Sequence, residues 1–296
     1  GNVSIADKII HTGDTNTAIR FPAADTFTVE TGGSEALRVN SDQKLLVGST
    51  SSRDNFFDSS HSSNIQVEGN TTTKSSLAVI RNDNGSDGSR IFFAKSRGTG
   101  DTIVQDDDRL GAIEFQGNDG GGFVAAAHIA SFVDGTPGSN DMPARLVFST
   151  TADGASSATE RLRITSGGAS IFKGGLVEKF ENAGTTLGSQ PNNPLSDGNV
   201  ILFTGNESGN KTINFTGVHS VLSSGETVSF TVIISPNGSG VINVVQVDGQ
   251  PITVKWSGGA APSAGASGQD IYTFQILKTG TGASNYTVFG VATNFA

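Results

Sequence analysis

The sequence predicts an all-β protein, built as an elongated modular β-fibre with a β-sandwich-like domain at its C-terminal end. Three observations predict it: short apolar runs that alternate with polar residues, a high density of turn signals, and one motif that occurs twice. Alternation places successive side chains on opposite faces of a strand, so that one face can be buried. Reuse of one strand-pairing motif indicates a modular assembly rather than a compact enzyme.

The repeated motif is SEALRVNS at residues 34–41 and TERLRITS at residues 159–166. Each copy leads through polar residues into a short apolar run. The leucine and the Val or Ile after it lie two positions apart, which places them on one strand face. The glutamate and the arginine after the leucine lie three positions apart, on opposite faces of a regular strand. The spacing therefore predicts that these two do not form a simple ion pair within their strand.

Turn signals separate the predicted strands. Asp-Gly occurs six times and Asn-Gly twice, and both pairs tolerate the positive φ angles of tight turns. Alternating runs begin at Tyr272 and at Tyr286, with a Gly-Thr-Gly-Ala turn between them, which predicts a hairpin. The alanine-rich stretch 123–130 is too short for a stable isolated helix, and we expect a strand there.

Shifts in composition predict four segments. Residues 1–52 form an N-terminal β shaft segment, residues 53–172 a central β domain, and residues 173–194 a connector that contains two prolines. Residues 195–296 form the C-terminal β-sandwich-like tip domain, which holds both tyrosines and the single tryptophan.

Charge and composition narrow the possible partners. There are 28 acidic and 19 basic residues, a formal net charge of −9. A surface of that sign repels the phosphate backbone, so nucleic acid is not expected as a partner. No run approaches 18 apolar residues, so the chain is not expected to be embedded in a membrane. The sequence has no cysteine, which excludes disulfides.

The histidines and one acidic run are the candidates for catalysis or metal binding. The four histidines have no sequence-local partners at metal-ligand spacing: His11, His61, His128 and His219. The acidic run 106–108 could supply Ca²⁺ ligands or a glycosidase pair, but a solvated hairpin tip before a strand over 109–116 explains it better. We therefore predict no catalytic residue, no metal ligand and no cofactor.

Candidate binding residues are concentrated in the last segment. They are Trp256, Tyr272, Tyr286, Asn285 and Asn206. An aromatic ring suits the apolar face of a sugar, but all three rings sit in alternating apolar runs, so core packing is the favoured alternative. Polar recognition of a glycan is expected from loops 205–211, 258–268 and 279–285, because binding residues concentrate on loops of a rigid scaffold.

Several stretches resemble structural proteins of tailed marine bacteriophages, especially tail fibres. They are DKIIHTGDTNTAIRFP at 7–22, LGAIEFQG at 110–117, DGTPGSNDMPARLVF at 134–148 and VKWSGGAAP at 254–262, with Asp270 and Asn294-Phe295 after them. The last stretch resembles a C-terminal module that is shared by many phage fibres.

The resemblance implies an elongated, intertwined homotrimer at the phage tail surface of the virion, without catalytic residues. Its implied partners are further copies of itself, other virion tail proteins, and a host surface glycan or outer-membrane component. Three alternatives stay open: a structural head-decoration or baseplate protein, a polysaccharide-degrading tailspike, and a cellular adhesin. Tailspikes commonly use long parallel β-helices, whose short regular rungs the sequence does not show.

Overall fold

The computed structural model describes residues 2–57, 61–188 and 191–295. The chain divides into two compact units, residues 1–175 and 176–296. Strands dominate both, which confirms the predicted all-β class. The division lies inside the predicted connector 173–194, of which residues 189 and 190 lie outside the described residues.

The N-terminal unit contains two sheets of strands that pair mostly in chain order. The first consists of β1 (Lys8–His11), β2 (Asp14–Arg20), β3 (Phe27–Thr31), β4 (Ser34–Val39), β5 (Leu45–Val47) and β6 (Ile65–Val67), antiparallel except between β5 and β6. A 3-10 turn, Thr72–Ser75, follows. The second is an antiparallel meander of β7 (Arg109–Asn118), β8 (Phe123–Val133), β9 (Ala144–Thr151), β10 (Ala158–Ile164) and β11 (Ser170–Phe172). The alanine-rich stretch 123–130 lies in β8, as predicted.

The two copies of the repeated motif form the same three-dimensional unit. The facing pairs are Leu37 with Val47, Arg38 with Leu46 and Val39 with Leu45 in the first copy, and Leu162 with Phe172, Arg163 with Ile171 and Ile164 with Ser170 in the second. The turn between the strands is also shared: a side-chain oxygen of Asn40 or Thr165 accepts the N–H of the residue four positions later. The repeated sequence therefore forms the same hairpin twice, with the same register between its two strands.

Each motif strand also contains a β-bulge at the same place. Ala36 is the extra residue in the first copy, because its neighbours Glu35 and Leu37 face consecutive residues of β3. Arg161 is the extra residue in the second copy, opposite β9. One inserted residue shifts the alternation of faces, so that positions three apart come to lie on the same side.

The prediction that glutamate and arginine do not pair within the motif strand is wrong, and the bulge explains why. Arg38 Nε and Nη2 lie 2.7 Å from the two carboxylate oxygens of Glu35. Arg163 makes the same two-pronged contact with Glu160, at 3.1 and 2.7 Å. Bidentate pairs of this kind are directional as well as attractive, so each one helps to fix the bulge beneath it.

The C-terminal unit is a sandwich of two sheets between which the chain alternates. One sheet has the order β12 (Phe180–Asn182), β14 (Val200–Glu207), β16 (Thr227–Pro236), β20 (Gln269–Lys278), β21 (Tyr286–Phe295) and β19 (Val254–Trp256). The other has the order β13 (Asn192–Pro194), β15 (Asn210–Thr216), β17 (Val241–Val247) and β18 (Gln250–Ile252). Three short helical turns complete the unit: Leu195–Asp197, α1 (Val218–Val221) and Ser257–Gly259.

Four parallel pairs join strands two places apart along the chain: β12 with β14, β13 with β15, β14 with β16 and β15 with β17. Three successive two-strand coils result, a short version of the parallel rungs that the sequence did not show. The predicted hairpin follows them: β20 and β21 are antiparallel over ten facing pairs, from Gln269 with Phe295 to Lys278 with Tyr286.

A single apolar cluster fills the space between the two sheets. Its largest aromatic members, all fully buried, are Phe203, Phe215, Phe230, Tyr272 and Phe274. The Phe215 and Phe230 rings are stacked across the sandwich, with centroids 4.2 Å apart. Four of the 18 phenylalanines of the sequence thus lie in this core.

Candidate functional site

The three aromatic residues among the five predicted binding residues lie in or against the core of the C-terminal unit: Tyr272 and Tyr286 belong to its apolar cluster, and Trp256 packs against it. Tyr272 is 0 % exposed, and its hydroxyl oxygen accepts the Ile242 N–H at 3.3 Å. Trp256 is half-buried and lies edge-on to Tyr272, with ring centroids 6.3 Å apart. Both rings thus pack where their alternating apolar runs predicted, in or against the core. Their role as receptor contacts stays a prediction.

Asn285 and Tyr286 lie at one end of the sandwich, and Asn206 lies at the other. Asn285 and Tyr286 follow the hairpin loop at the Lys278 end of β20. Asn206 faces Ser235 on β16, near the other end of β20. Ten strand residues separate these ends, which corresponds to about 30 Å. The five residues do not form one site.

The hairpin-loop end contains a buried cation that sequence reasoning missed. Lys278 is buried, and its Nζ lies 2.9 Å from His219 Nδ1 and 2.6 Å from the Gly282 carbonyl oxygen. The same ammonium lies 4.1 Å from the centroid of the Tyr286 ring. An imidazole nitrogen, a carbonyl oxygen and an aromatic face together offset the loss of hydration of this charge. Because 59 residues separate Lys278 from His219, no local pattern reveals the cluster.

The loops around Lys278 are held in place by side-chain contacts to the backbone. The carboxylate of Asp248 accepts the N–H groups of Gly217 and His219 at the start of α1. Asn285 is exposed and lies close over a glycine of its own loop: a β-carbon on Gly280 would be 2.5 Å from Asn285 Nδ2. This end therefore presents the polar Asn285 side chain on a defined loop.

Tyr286 contributes an unusual polar atom to the same end. Its hydroxyl is buried and has no hydrogen-bond partner among the described residues. Burial raises the pKa of the Tyr286 phenol, and the nearby negative charge of Asp248 raises it further. The phenol therefore stays protonated at neutral pH, and its hydroxyl faces the protein interior.

The acidic run 106–108 does not converge on one point. The Asp106 carboxylate accepts the Gly135 N–H, Asp107 pairs with Arg145, and Asp108 pairs with Arg97. Within residues 2–57, 61–188 and 191–295, no cluster of three or more histidine or acidic side chains could hold a metal ion. No helix in the same ranges combines the length and apolar character of a membrane span.

Several carboxylates of the N-terminal unit have a lowered pKa. Hydrogen bonds from basic side chains are the main cause for Asp54, Glu68, Asp108 and Glu160, and hydrogen bonds from backbone N–H groups for Asp119 and Asp134. In the C-terminal unit, burial raises the pKa of the Tyr272 and Tyr286 phenols.

We expect the two units to respond to opposite extremes of pH. A carboxylate with a lowered pKa stabilises the fold above its unfolded pKa of about 4, and this contribution is lost as the pH falls further. A phenol with a raised pKa stabilises the fold below about pH 10, and this contribution is lost as the pH rises. Acid should therefore weaken the N-terminal unit, and alkali above about pH 10 should weaken the C-terminal unit.

The single tryptophan makes this measurable, because Trp256 reports on the C-terminal unit alone. On titration above about pH 10 we expect the Trp256 emission to change as the buried phenols ionise, with a sample at pH 7 as the control. Emission that stays constant through this range would contradict the prediction.

Comparison with known proteins gives limited similarity. No family profile and no curated protein match the chain. Among solved structures, the carboxy-terminal domain of the L-shaped tail fibre of bacteriophage T5 is similar with 15% identity and a TM-score of 0.40, over 55% of this chain and 74% of that one. The same domain with its intramolecular chaperone domain gives 15% identity and a TM-score of 0.42, over 55% of this chain and 51% of that one. Similarity at this level carries no conclusion about function.

Proposed function

We propose that the chain is a non-enzymatic tail-fibre protein of a phage virion, which attaches the particle to the host surface. One observation carries the proposal: the stretches at 7–22, 110–117, 134–148 and 254–262, which resemble phage tail-fibre proteins, are distributed over both units. A modular all-β architecture with a duplicated hairpin supports it. In this proposal the protein is a homotrimer on the virion tail, in contact with other tail proteins.

Host attachment is assigned to the C-terminal unit, at the end that holds Asn285. This end presents the exposed amide of Asn285 on a loop whose Gly282 carbonyl is bonded by the buried ammonium of Lys278. Amides recognise the hydroxyl groups of a glycan by hydrogen bonds, each worth about 1 kcal/mol net. Weak single sites suffice, because several copies on one particle raise the overall affinity without any new contact.

The other end of the same unit supplies a matched control, since Asn206 is also exposed and was also predicted as a contact. The full chain is applied to an array of bacterial surface glycans and outer-membrane vesicles. We expect Asn285→Asp, which keeps the side-chain shape and removes the amide donor, to weaken binding about tenfold, as loss of one good hydrogen bond would. We expect Asn206→Asp to bind like the wild type.

Two results would contradict the proposal at different levels. Undiminished binding by Asn285→Asp would remove the assignment to this end of the unit. If the wild type bound no bacterial surface, attachment itself would fail, and the head-decoration or baseplate alternative would take its place.

A further inference from the structure

An uncovered row of apolar side chains crosses the whole six-stranded sheet of the N-terminal unit. Its members face one another directly on neighbouring strands: Ile9, Ile19, Val29, Leu37, Val47 and Val67. None of the six is buried, and Ile9 at one edge is 51% exposed. We call this row the first ladder. Its neighbours lie about 4.8 Å apart along the row.

The five-stranded sheet carries a second ladder of the same kind. It consists of Ile113, Ile129, Phe148, Leu162 and Phe172, again in direct register across every strand of the sheet. None is buried, and Phe172 is 55% exposed. Leu37 and Leu162 occupy the same position of the repeated motif. The duplicated hairpin therefore places the same uncovered apolar row in both sheets.

The opposite face of the first sheet makes the arrangement more unusual. On that face lies the row formed by the residue next to each ladder member: Lys8, Arg20, Thr28, Arg38, Leu46 and Gln66. Thr28, Leu46 and Gln66 in this row are buried. A soluble sheet normally buries its apolar face and exposes its polar one. Here largely polar side chains occupy the covered face, while the uniformly apolar ladder faces outward.

The accessible surface of the chain is too large for two ordinary folded units. It is 18027 Å². Two separate globular units of half the mass each would expose about 14,000 Å² in total. The excess is about 4,000 Å² for one chain, so this fold leaves more surface uncovered than two compact units of the same mass would.

A stretch between the two sheets adds to this excess. Residues 76–96 contain no strand, and their large apolar side chains are exposed. These are Leu77, Val79, Ile80, Ile91, Phe92 and Phe93. A single chain thus exposes apolar surface on both sheets and on the stretch that connects them.

We propose that the two ladders are the self-association surface of the N-terminal unit, covered by the ladders of further copies of this chain. A partner must be apolar and free of charge along a row of matching spacing, and the ladders themselves have this property. Copies that lie side by side in the same direction bring each ladder against its own equivalent, so both ladders are covered at once. The common direction rests on the proposed function, in which identical chains form one fibre.

Mass measurement by light scattering tests the proposal on the full chain. The wild type is expected at a multiple of 30.3 kDa, and at three times that mass if the assembly is the proposed trimer. The double variant Leu37→Asp/Leu162→Asp places a carboxylate in the middle of each ladder and is expected at 30.3 kDa. Ala36→Asp/Arg161→Asp changes the exposed bulge residues next to them and is expected to keep the wild-type mass.

A second experiment covers the case in which the aspartate variant fails to fold. Because the chain has no cysteine, one introduced thiol reports on its own surroundings. Leu37→Cys is expected to form disulfide-linked dimers on mild oxidation, since equivalent ladder residues meet. Ala36→Cys, one residue away on the same strand, is expected to stay uncrosslinked.

Three outcomes would overturn the proposal: a monomeric wild type, an aspartate double variant that keeps the assembled mass, or crosslinking at Ala36→Cys and not at Leu37→Cys. Glycan binding is measured separately, so self-association and host attachment can fail independently. A monomer that binds glycans removes the ladder proposal and the homotrimer but leaves host attachment, and an assembly that binds no bacterial surface removes only host attachment.

Discussion

Replacement of Phe230 by alanine is expected to destabilise the C-terminal unit by about 4 kcal/mol, the usual cost of removing a fully buried phenylalanine. Phe230 lies on β16 and Phe215 on β15, so their stacked rings join the two sheets of the sandwich. Phe274 approaches the same pair at 5.5 Å from Phe215. Truncation at Phe230 leaves a cavity between the sheets that rigid strands on both sides cannot close.

Denaturant unfolding followed by Trp256 fluorescence measures the effect, since Trp256 contacts Phe274 in the same cluster. Phe289→Ala is the matched control: it is the same chemical change in the same unit, at an exposed ring that lies against Lys255. We expect this control to cost about 1 kcal/mol or less. Equal costs at Phe230 and Phe289 would show that the stacked pair does not hold the sheets together.

The parts of the fold that depend on local pattern could be predicted from the sequence. The hairpin of β20 and β21 follows from two alternating runs and the glycine-rich turn between them. The strand over the alanine-rich stretch follows from its length and its flanking turns. In both cases the decisive residues lie within about thirty positions of one another.

The repeated motif shows where such reasoning stops. Its leucine and its Val or Ile lie on one face as expected, but the bulge at Ala36 or Arg161 reverses the expectation for the glutamate and arginine. A bulge is defined by the facing strand, which a period-two analysis of one strand does not contain. The motif recurs because it specifies a bulge, an ion pair and a turn together.

Contacts between distant parts of the chain were beyond prediction for a related reason. In the parallel coils of the C-terminal unit, paired strands are separated along the sequence by a strand of the other sheet. Signals for tight turns carry no information on such pairing. The contact between Lys278 and His219 likewise arises only once the hairpin loop meets α1. Of the five predicted binding residues, Asn285 is exposed on a loop as its position predicts, whereas Asn206 is exposed but lies in β14, so the predicted loop 205–211 is wrong at its start.

Replacement of Glu207 by alanine is expected to destabilise the C-terminal unit by about 3 kcal/mol, because it breaks a buried ion pair and leaves one partner behind. Glu207 is 0 % exposed, its Oε2 lies 3.2 Å from Lys211 Nζ, and its Oε1 accepts the Leu187 N–H. Gly240 packs directly against its side chain, where a β-carbon would be 2.7 Å from Glu207 Cβ. The alanine variant would therefore leave an ammonium and an N–H group without their acceptor.

Two further variants separate charge from hydrogen bonding at this position. Glu207→Gln keeps an acceptor for the Leu187 N–H and removes only the negative charge, so we expect it to cost less than Glu207→Ala. Adding Lys211→Met to Glu207→Gln removes the unpaired ammonium and is expected to recover stability, as apolar replacement of buried ion pairs commonly does. Trp256 fluorescence again reports unfolding, and Asn206→Ala, the exposed neighbour, serves as the control. If Glu207→Ala cost no more than Asn206→Ala, the pair with Lys211 would contribute nothing to the stability of the unit.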